Sequence, residues 1–317
     1  MPTVIEVKNL KKNYGELAAV NDISFFVEKG EVFGLLGENG AGKTTTLEII
    51  EGLRKATAGD ISVLGFNVKN NISQIKERIG VQLQSSAYYK FLKLYEILEL
   101  FGNFYHKKVN ADELFAMVGL TSKAGQYIDA LSGGQKQRFS IVASLVNNPE
   151  IVFLDEPTTG LDPVGRRNTW DIISQIKAQG KTIMLTTHYM EEAEILCDRV
   201  AIMEKGRIIA MDKTHKLIEQ AEHPFRIEFI LEKDKPEIIG ALKERCHLEE
   251  CDIEKLPGKE AHYEMKIKTQ QDLNSAVGFL QKENPASLTV GRASLEDVFI
   301  ELTGKTIKET ETQENNA

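Results

Sequence analysis

The chain has 317 residues, 42% of them hydrophobic and 27% charged, with a formal net charge of −8. That length suits two domains with ample core, the composition excludes disordered and collagen-like classes, and the acidic balance argues against a general nucleic-acid binder. No apolar run approaches the roughly 18 residues of a spanning helix, and the N-terminus lacks an apolar stretch of signal-peptide length. The expectation is a soluble, intracellular chain that works at a membrane only through a partner chain.

Residues 3–10 alternate apolar and polar, as a half-buried strand does. The next twenty residues read as short strands joined by turns at Tyr14-Gly15 and Lys29-Gly30. A flat ring at Tyr14 suits either packing on the sheet or stacking under a base. The apolar run EVFGLLG then leads into GENGAGKTT, residues 37–45, and on into TTTLEIIEGL at helical spacing. Strand, glycine loop and helix are the context of a phosphate-binding loop. Gly37, Gly40 and Gly42 keep side chains off the loop, and the following helix adds a positive dipole end. Lys43 is expected to reach the β and γ phosphates, Thr44 to ligate Mg²⁺, and Thr45 to serve the α phosphate.

GDISVLGFNV reads as a hairpin, and ISQIKERIGVQLQ as a helix feeding a strand. The stretch from Ser85 to Lys108 is rich in aromatics at helical spacing, which fits core packing in a helical insertion or a groove for a partner's helix. ADELFAMVGL is another amphipathic helix. In LSGGQKQRFSIVASLVNN, Ser132 stands at an N-cap position and Gly133 and Gly134 open a helix, a second potential anion site. Ile151 to Leu154 form a buried strand with Asp155 and Glu156 at its C-terminal end. Two adjacent carboxylates there call for a cation, and Mg²⁺ is the natural answer. A turn and a helix begun by Pro163 follow, then a buried strand ending in His188, another helix, and a hairpin turning at Lys205-Gly206.

From about residue 220 the pattern changes to β-α-β-β-α-β and a last helix capped by Ser294, a small α+β domain over residues 221–305. Its two middle strands flank Pro257-Gly258. The tail, 306–317, is polar and expected to be disordered. Cys197, Cys246 and Cys251 make no disulfide framework. Cys246, His247, Cys251 and His262 lie close in sequence, but they form no C-x₂-C knuckle, so reduced cysteines are the default over a metal site.

Tyr14, GENGAGKTT, Gln84, LSGGQ, IVFLDE, GLD and His188 fall in the order and spacing of the ABC transporter ATPases, which residues 1–220 resemble. The resemblance implies an α/β fold: a P-loop NTPase domain with a RecA-like core, an antiparallel β layer and a helical insertion at about 85–145, here followed by the small α+β domain. It implies an adenine-stacking role for Tyr14 and a phosphate loop of Gly37, Glu38, Asn39, Gly40, Ala41, Gly42, Lys43, Thr44 and Thr45. Gln84 matches the glutamine that reaches Mg²⁺ and the γ phosphate. Leu83 replaces the proline that many relatives carry before it, and Gln82 competes for the assignment. Ser132, Gly133, Gly134 and Gln135 match the family signature, Asp155 the metal-holding aspartate and Glu156 the residue that polarises the attacking water. Asp162 matches the loop that crosses to a second subunit, and His188 the switch histidine. TTHYMEEAE and SLEDVFIELTG resemble the drug-resistance-type exporter ATPases. Implied are ATP and Mg²⁺, a homodimer, a separate transmembrane permease and a place at the cytoplasmic face of the membrane, without nucleic acid. The competing classes are a soluble ABC ATPase with no membrane partner and a regulatory ATP-binding subunit of a heterodimer.

Overall fold

The computed structural model describes residues 2–83, 88–246, 253–256 and 261–304. These divide into two compact units, whose boundary in sequence falls between Thr214 and His215.

In the first unit, β1 (Thr3–Tyr14) and β2 (Leu17–Glu28) form an antiparallel hairpin. These strands are longer than the sequence suggests. Left-handed Asn9 (φ 48°) and Asp22 (φ 63°) sit at bulges that reset the register, so pairing continues through polar stretches that break the alternation. Next come β3 (Val32–Leu36), α1 (Lys43–Ile50), β4 (Ala58–Val63) and β5 (Phe66–Asn67). The last two turn at Leu64-Gly65, both at positive φ, and complete an antiparallel layer ordered β2-β1-β4-β5.

α2 (Ile72–Lys76) feeds β6 (Ile79–Gln82), as the sequence pattern requires. The aromatic stretch is helical over α3 (Leu94–Phe104), whose Leu94, Ile97 and Leu98 are buried. Its Phe104 is instead 65% exposed. α4 (Ala111–Met117) and α5 (Gly133–Ala143) complete the insertion.

β7 (Ile151–Asp155), α6 (Pro163–Ala178), β8 (Thr182–Thr187), α7 (Met190–Leu196), β9 (Arg199–Glu204) and β10 (Arg207–Lys213) finish the unit. The second sheet runs β10-β9-β3-β8-β7-β6, parallel except for β10. Every residue of β3, β7 and β8 is buried. Such a sheet is covered on both faces, one of them here by α1 and the antiparallel layer, which is why these strands read as unbroken apolar runs. One core joins the two sheets, with Phe33 and Phe153 fully buried in it.

α8 (Thr214–Glu219) begins at the boundary, ahead of the division near 220 that the sequence suggests. In the second unit β11 (Phe225–Ile230), α9 (Pro236–Cys246), β12 (Ile253–Lys255), β13 (His262–Ile267), α10 (Gln270–Leu280), β14 (Ser287–Arg292) and α11 (Leu295–Thr303) follow one another. This is the expected element order, folded as one antiparallel sheet ordered β12-β13-β11-β14. Ile227, Phe229 and Met265 of the sheet share a core with Leu242 of α9 and Leu280 of α10. No helix among the described residues is long and apolar enough to cross a membrane.

Phe153 anchors the strand that ends in the two carboxylates. Phe153→Ala is expected to cost about 3–5 kcal/mol of stability, read as a lower urea midpoint; an unchanged midpoint would contradict the packing described.

Candidate active site

In a parallel sheet the functional edge lies at the C-terminal ends of the strands. Here β3 delivers the glycine loop and Lys43, β7 delivers Asp155 and Glu156, and β8 delivers His188. The loop needs glycine for two separate reasons. At Gly42 (φ 101°) a Cβ would stand 2.4 Å from the Ala19 carbonyl oxygen, so the chain closes here against its own backbone. Gly40 (φ 78°) has nothing within 4 Å of a Cβ and leaves the loop open outward. Gly42 is also the left-handed N-cap of α1, with no side-chain cap. The N–H groups of Lys43, Thr44 and Thr45 precede the helical ladder and present an anion site.

Lys43 is 4% exposed. Its Nζ donates to the carbonyls of Gly37 (2.8 Å) and Glu38 (3.0 Å) and lies 3.6 Å from Glu156 Oε1. Burial pulls its pKa down, and Glu156 chiefly opposes that. Thr44 Oγ1 donates to Asp155 Oδ1 at 3.1 Å, and Thr186 Oγ1 donates to the same oxygen at 2.5 Å. Thr186 Oγ1 in turn accepts the Glu156 N–H at 3.0 Å. Glu156 sits at φ 47°, an uncommon conformation for a non-glycine residue. Thr159 Oγ1 donates to its Oε2 at 3.0 Å, and His188 Nδ1 stands 3.5 Å from its Oε1.

The two neighbouring carboxylates are driven apart. Burial raises Asp155 despite its threonine donors. His188 first, then Lys43 and Thr159, hold Glu156 down at about 2 against the effect of burial. Such a split assigns different tasks to adjacent acids.

Tyr14, Asn39, Gly40, Gly42, Lys43, Thr44, Thr45 and Glu156 line a cavity of about 420 Å³. Tyr14 is 40% exposed at its edge, with Lys12 Nζ 4.9 Å and the Arg54 guanidinium 5.5 Å from its ring centre. Ala41 is buried beneath the loop, and Glu38 contributes its carbonyl. Ser132, Gly133, Gly134, Gln135 and Asp162 do not join this cavity. They line a second one of about 470 Å³, open to solvent. Ser132 and Gln135 form a reciprocal cap on α5: each backbone N–H is bound by the other's side chain, at 3.0 and 3.4 Å. Asp162 caps α6 by accepting the Gly165 N–H at 2.9 Å.

Gln84 lies outside the described residues. Gln82 is buried, and its amide donates to the carbonyls of Leu83 and Asp155. Thr186 and Thr159 are missing from the sequence reading, although Thr186, at the polar end of the apolar run TIMLTTH, is a legible signal of polar partners nearby. His247 and Cys251 also lie outside the described residues. Cys246 donates to the Asp272 carbonyl and His262 pairs with Glu228. Among the described residues no group of three or more His, Cys, Asp or Glu side chains could hold a metal ion.

Comparison with known proteins agrees with this geometry. A family profile described as ABC transporter matches residues 20–159. The linearmycin resistance ATP-binding protein of Bacillus subtilis is 35% identical over 315 residues, covering 96% of this chain and 100% of its own. A Nod factor export ATP-binding protein of Rhizobium meliloti is 37% identical over 314 residues, covering 97% and 90%. A solved ATP-binding subunit of an ABC transporter superposes with a TM-score of 0.62 at 30% identity, over 68% of this chain and 92% of that one. A dimeric ATP-binding cassette in a post-hydrolysis state with ADP and Pi superposes with a TM-score of 0.61 at 27% identity, over 66% and 98%.

The charge cluster also sets an acid dependence. The Glu156 carboxyl lies at about 2 when folded, below its ordinary 4.5. Its ionised form therefore contributes stability in full above about pH 4.5, and that contribution is lost as pH falls toward about 2. In magnesium-free buffer the wild type is expected to lose stability more steeply than Glu156→Gln between about pH 5 and pH 3. Parallel denaturation curves across that range would show that His188 and Lys43 do not hold the carboxylate.

Proposed function

The chain belongs to the ABC transporter family of ATP-binding proteins, and on that ground we propose that it is the ATP-hydrolysing subunit of an exporter. It would power a separate membrane permease by closing as a dimer around ATP. The observation that carries this reading is the meeting of Lys43, Thr44, Asp155, Glu156 and His188 at one sheet edge, while Ser132 to Gln135 stand at another cavity of the same chain. Each chain thus offers two unlike half-sites. The names of the resistance and export relatives support the exporter class.

Phosphoryl transfer is mostly positioning and charge neutralisation. Lys43 and the N-terminus of α1 receive the phosphates, and Tyr14 offers its ring to the base. Glu156, ionised at neutral pH, orients and polarises the attacking water. His188, against the same carboxylate, faces the γ phosphate. Thr44 and Asp155 supply a hydroxyl and a carboxylate within 3.1 Å of each other. Hard oxygen donors, few in number, suit Mg²⁺, which keeps positions for phosphate and water. The ion would neutralise charge on the phosphates, and Gln84, or Gln82 in its place, would complete its surroundings. Ser132, Gly133, Gly134 and Gln135 of a second copy would cap the γ phosphate, with Asp162 on the crossing loop.

A separate cavity of about 420 Å³, lined by Leu53, Val81, Leu83, Phe101 and Phe104 among others, is our candidate seat for a helix of the permease. Leu53, Leu83 and Phe104 are 52%, 41% and 65% exposed along it, an apolar surface that fits helix-in-groove recognition. That contact would hold the chain at the cytoplasmic face of the membrane. Residues 221–305 are proposed to make dimer or partner contacts, a role that the exposed edge strand β14 suits.

Glu156→Gln is expected to keep ATP binding while turnover falls about 10²–10⁴-fold, and to elute as an ATP-dependent dimer. Near-wild-type turnover would remove Glu156 from its role. A persistent monomer at high protein and ATP concentration would remove the dimer.

A further inference from the structure

The groove beside α3 contains one group that the nucleotide site does not use. Glu51, the residue that ends α1, is 1% exposed and lines the groove. Neither of its carboxylate oxygens has a hydrogen-bond partner among the described residues.

Its position is unfavourable on three counts. Burial removes its water, and the charges of Asp155 and Glu48 repel it, so its carboxyl is pushed up to about 8. It also stands at a helix C-terminus, where backbone carbonyls already present negative charge. Nearby cations do not relieve it. Arg54 is engaged by Glu48 at 2.5 Å. Lys76, the one cation among the described lining residues, is exposed at the rim and forms no ion pair with Glu51 among those residues. A packed apolar residue would stabilise the isolated chain better.

We propose that Glu51 is an ionic anchor for the permease: the segment that fills this groove is an amphipathic helix that lays apolar side chains on Leu53, Phe101 and Phe104 and inserts one arginine or lysine to pair with Glu51. This rests on reading the groove as the permease's seat, and adds the chemistry of its occupant. Apolar walls around one buried, unpartnered carboxyl select an apolar helix face with one positive charge: a cation would let Glu51 ionise and pair, whereas an apolar or acidic segment would leave it without a partner.

The test uses the full-length tagged chain to capture polytopic proteins from detergent-solubilised native membranes. A photocrosslinker at Leu53 identifies the contacted segment by mass spectrometry. The wild type is expected to crosslink a segment carrying an arginine or lysine, and Glu51→Gln to recover at least about tenfold less of that polytopic chain. Isolated Glu51→Leu, by contrast, is expected to melt about 2–4 °C higher than wild type, with basal ATP hydrolysis unchanged. Combining Glu51→Lys with reversal of the partner's cation to glutamate should restore capture. Equal recovery by wild type and Glu51→Gln, or a crosslinked segment without a cation, overturns the anchor and leaves the docking reading standing. If the wild type captures no polytopic chain, the docking reading fails and the anchor fails with it.

Discussion

One constraint governs the first unit: a lysine and two carboxylates are held under cover where buried parallel strands end. Lys43, Asp155 and Glu156 are each less than one-tenth exposed. An unpaired charge in such a place costs several kcal/mol. The cluster is stable because its members satisfy one another and because Thr44, Thr186 and Thr159 donate to the carboxylates. It still has one more carboxylate than ammonium. A divalent ion beside Asp155 would meet that excess, while Glu156, held by Lys43 and His188, keeps its charge for the water. The sheet order explains why the groups can meet. β3 pairs with β8, and β8 with β7, so three segments distant in sequence end side by side.

The same geometry separates the signature residues from the phosphate loop. The Ser132–Gln135 cap leaves α5 with an ordered N-terminus facing solvent, a donor surface in a cavity separate from the one that the phosphate loop lines. In the proposed dimer each chain would lend this surface to the other's nucleotide. ATP would then be part of the interface, and its hydrolysis would loosen it.

Much of this was legible in sequence because the signals are local. Glycine spacing marks the loop, an unbroken apolar run marks each buried strand, and Ser132 and Asp162 are caps whose partners lie three residues on. What escaped depends on distant partners. Thr186 matters because β8 lies beside β7, which no local pattern encodes. The bulges at Asn9 and Asp22 arise from pairing, so the strands looked shorter than they are. Cys246 and His262 are near in sequence yet bond to Asp272 and Glu228, and that separation is visible only once α9 and β13 are placed. Glu51 read as one more helical residue, since burial on that side of α1 depends on the insertion.

α1 connects the two ends of the proposed machine. It begins at Lys43, in the charge cluster, and Glu51 ends it in the groove. Eight helical residues span about 12 Å. Leu47, Ile49 and Ile50 pack it into the core along that length. A close-packed helix shifts as a body rather than bending within two turns. A partner docked at Glu51 would therefore be felt at the other end as a displacement of that helix. Asp155 is also the leading charge that raises the Glu51 carboxyl. Partner docking and nucleotide binding would then be linked through one short helix.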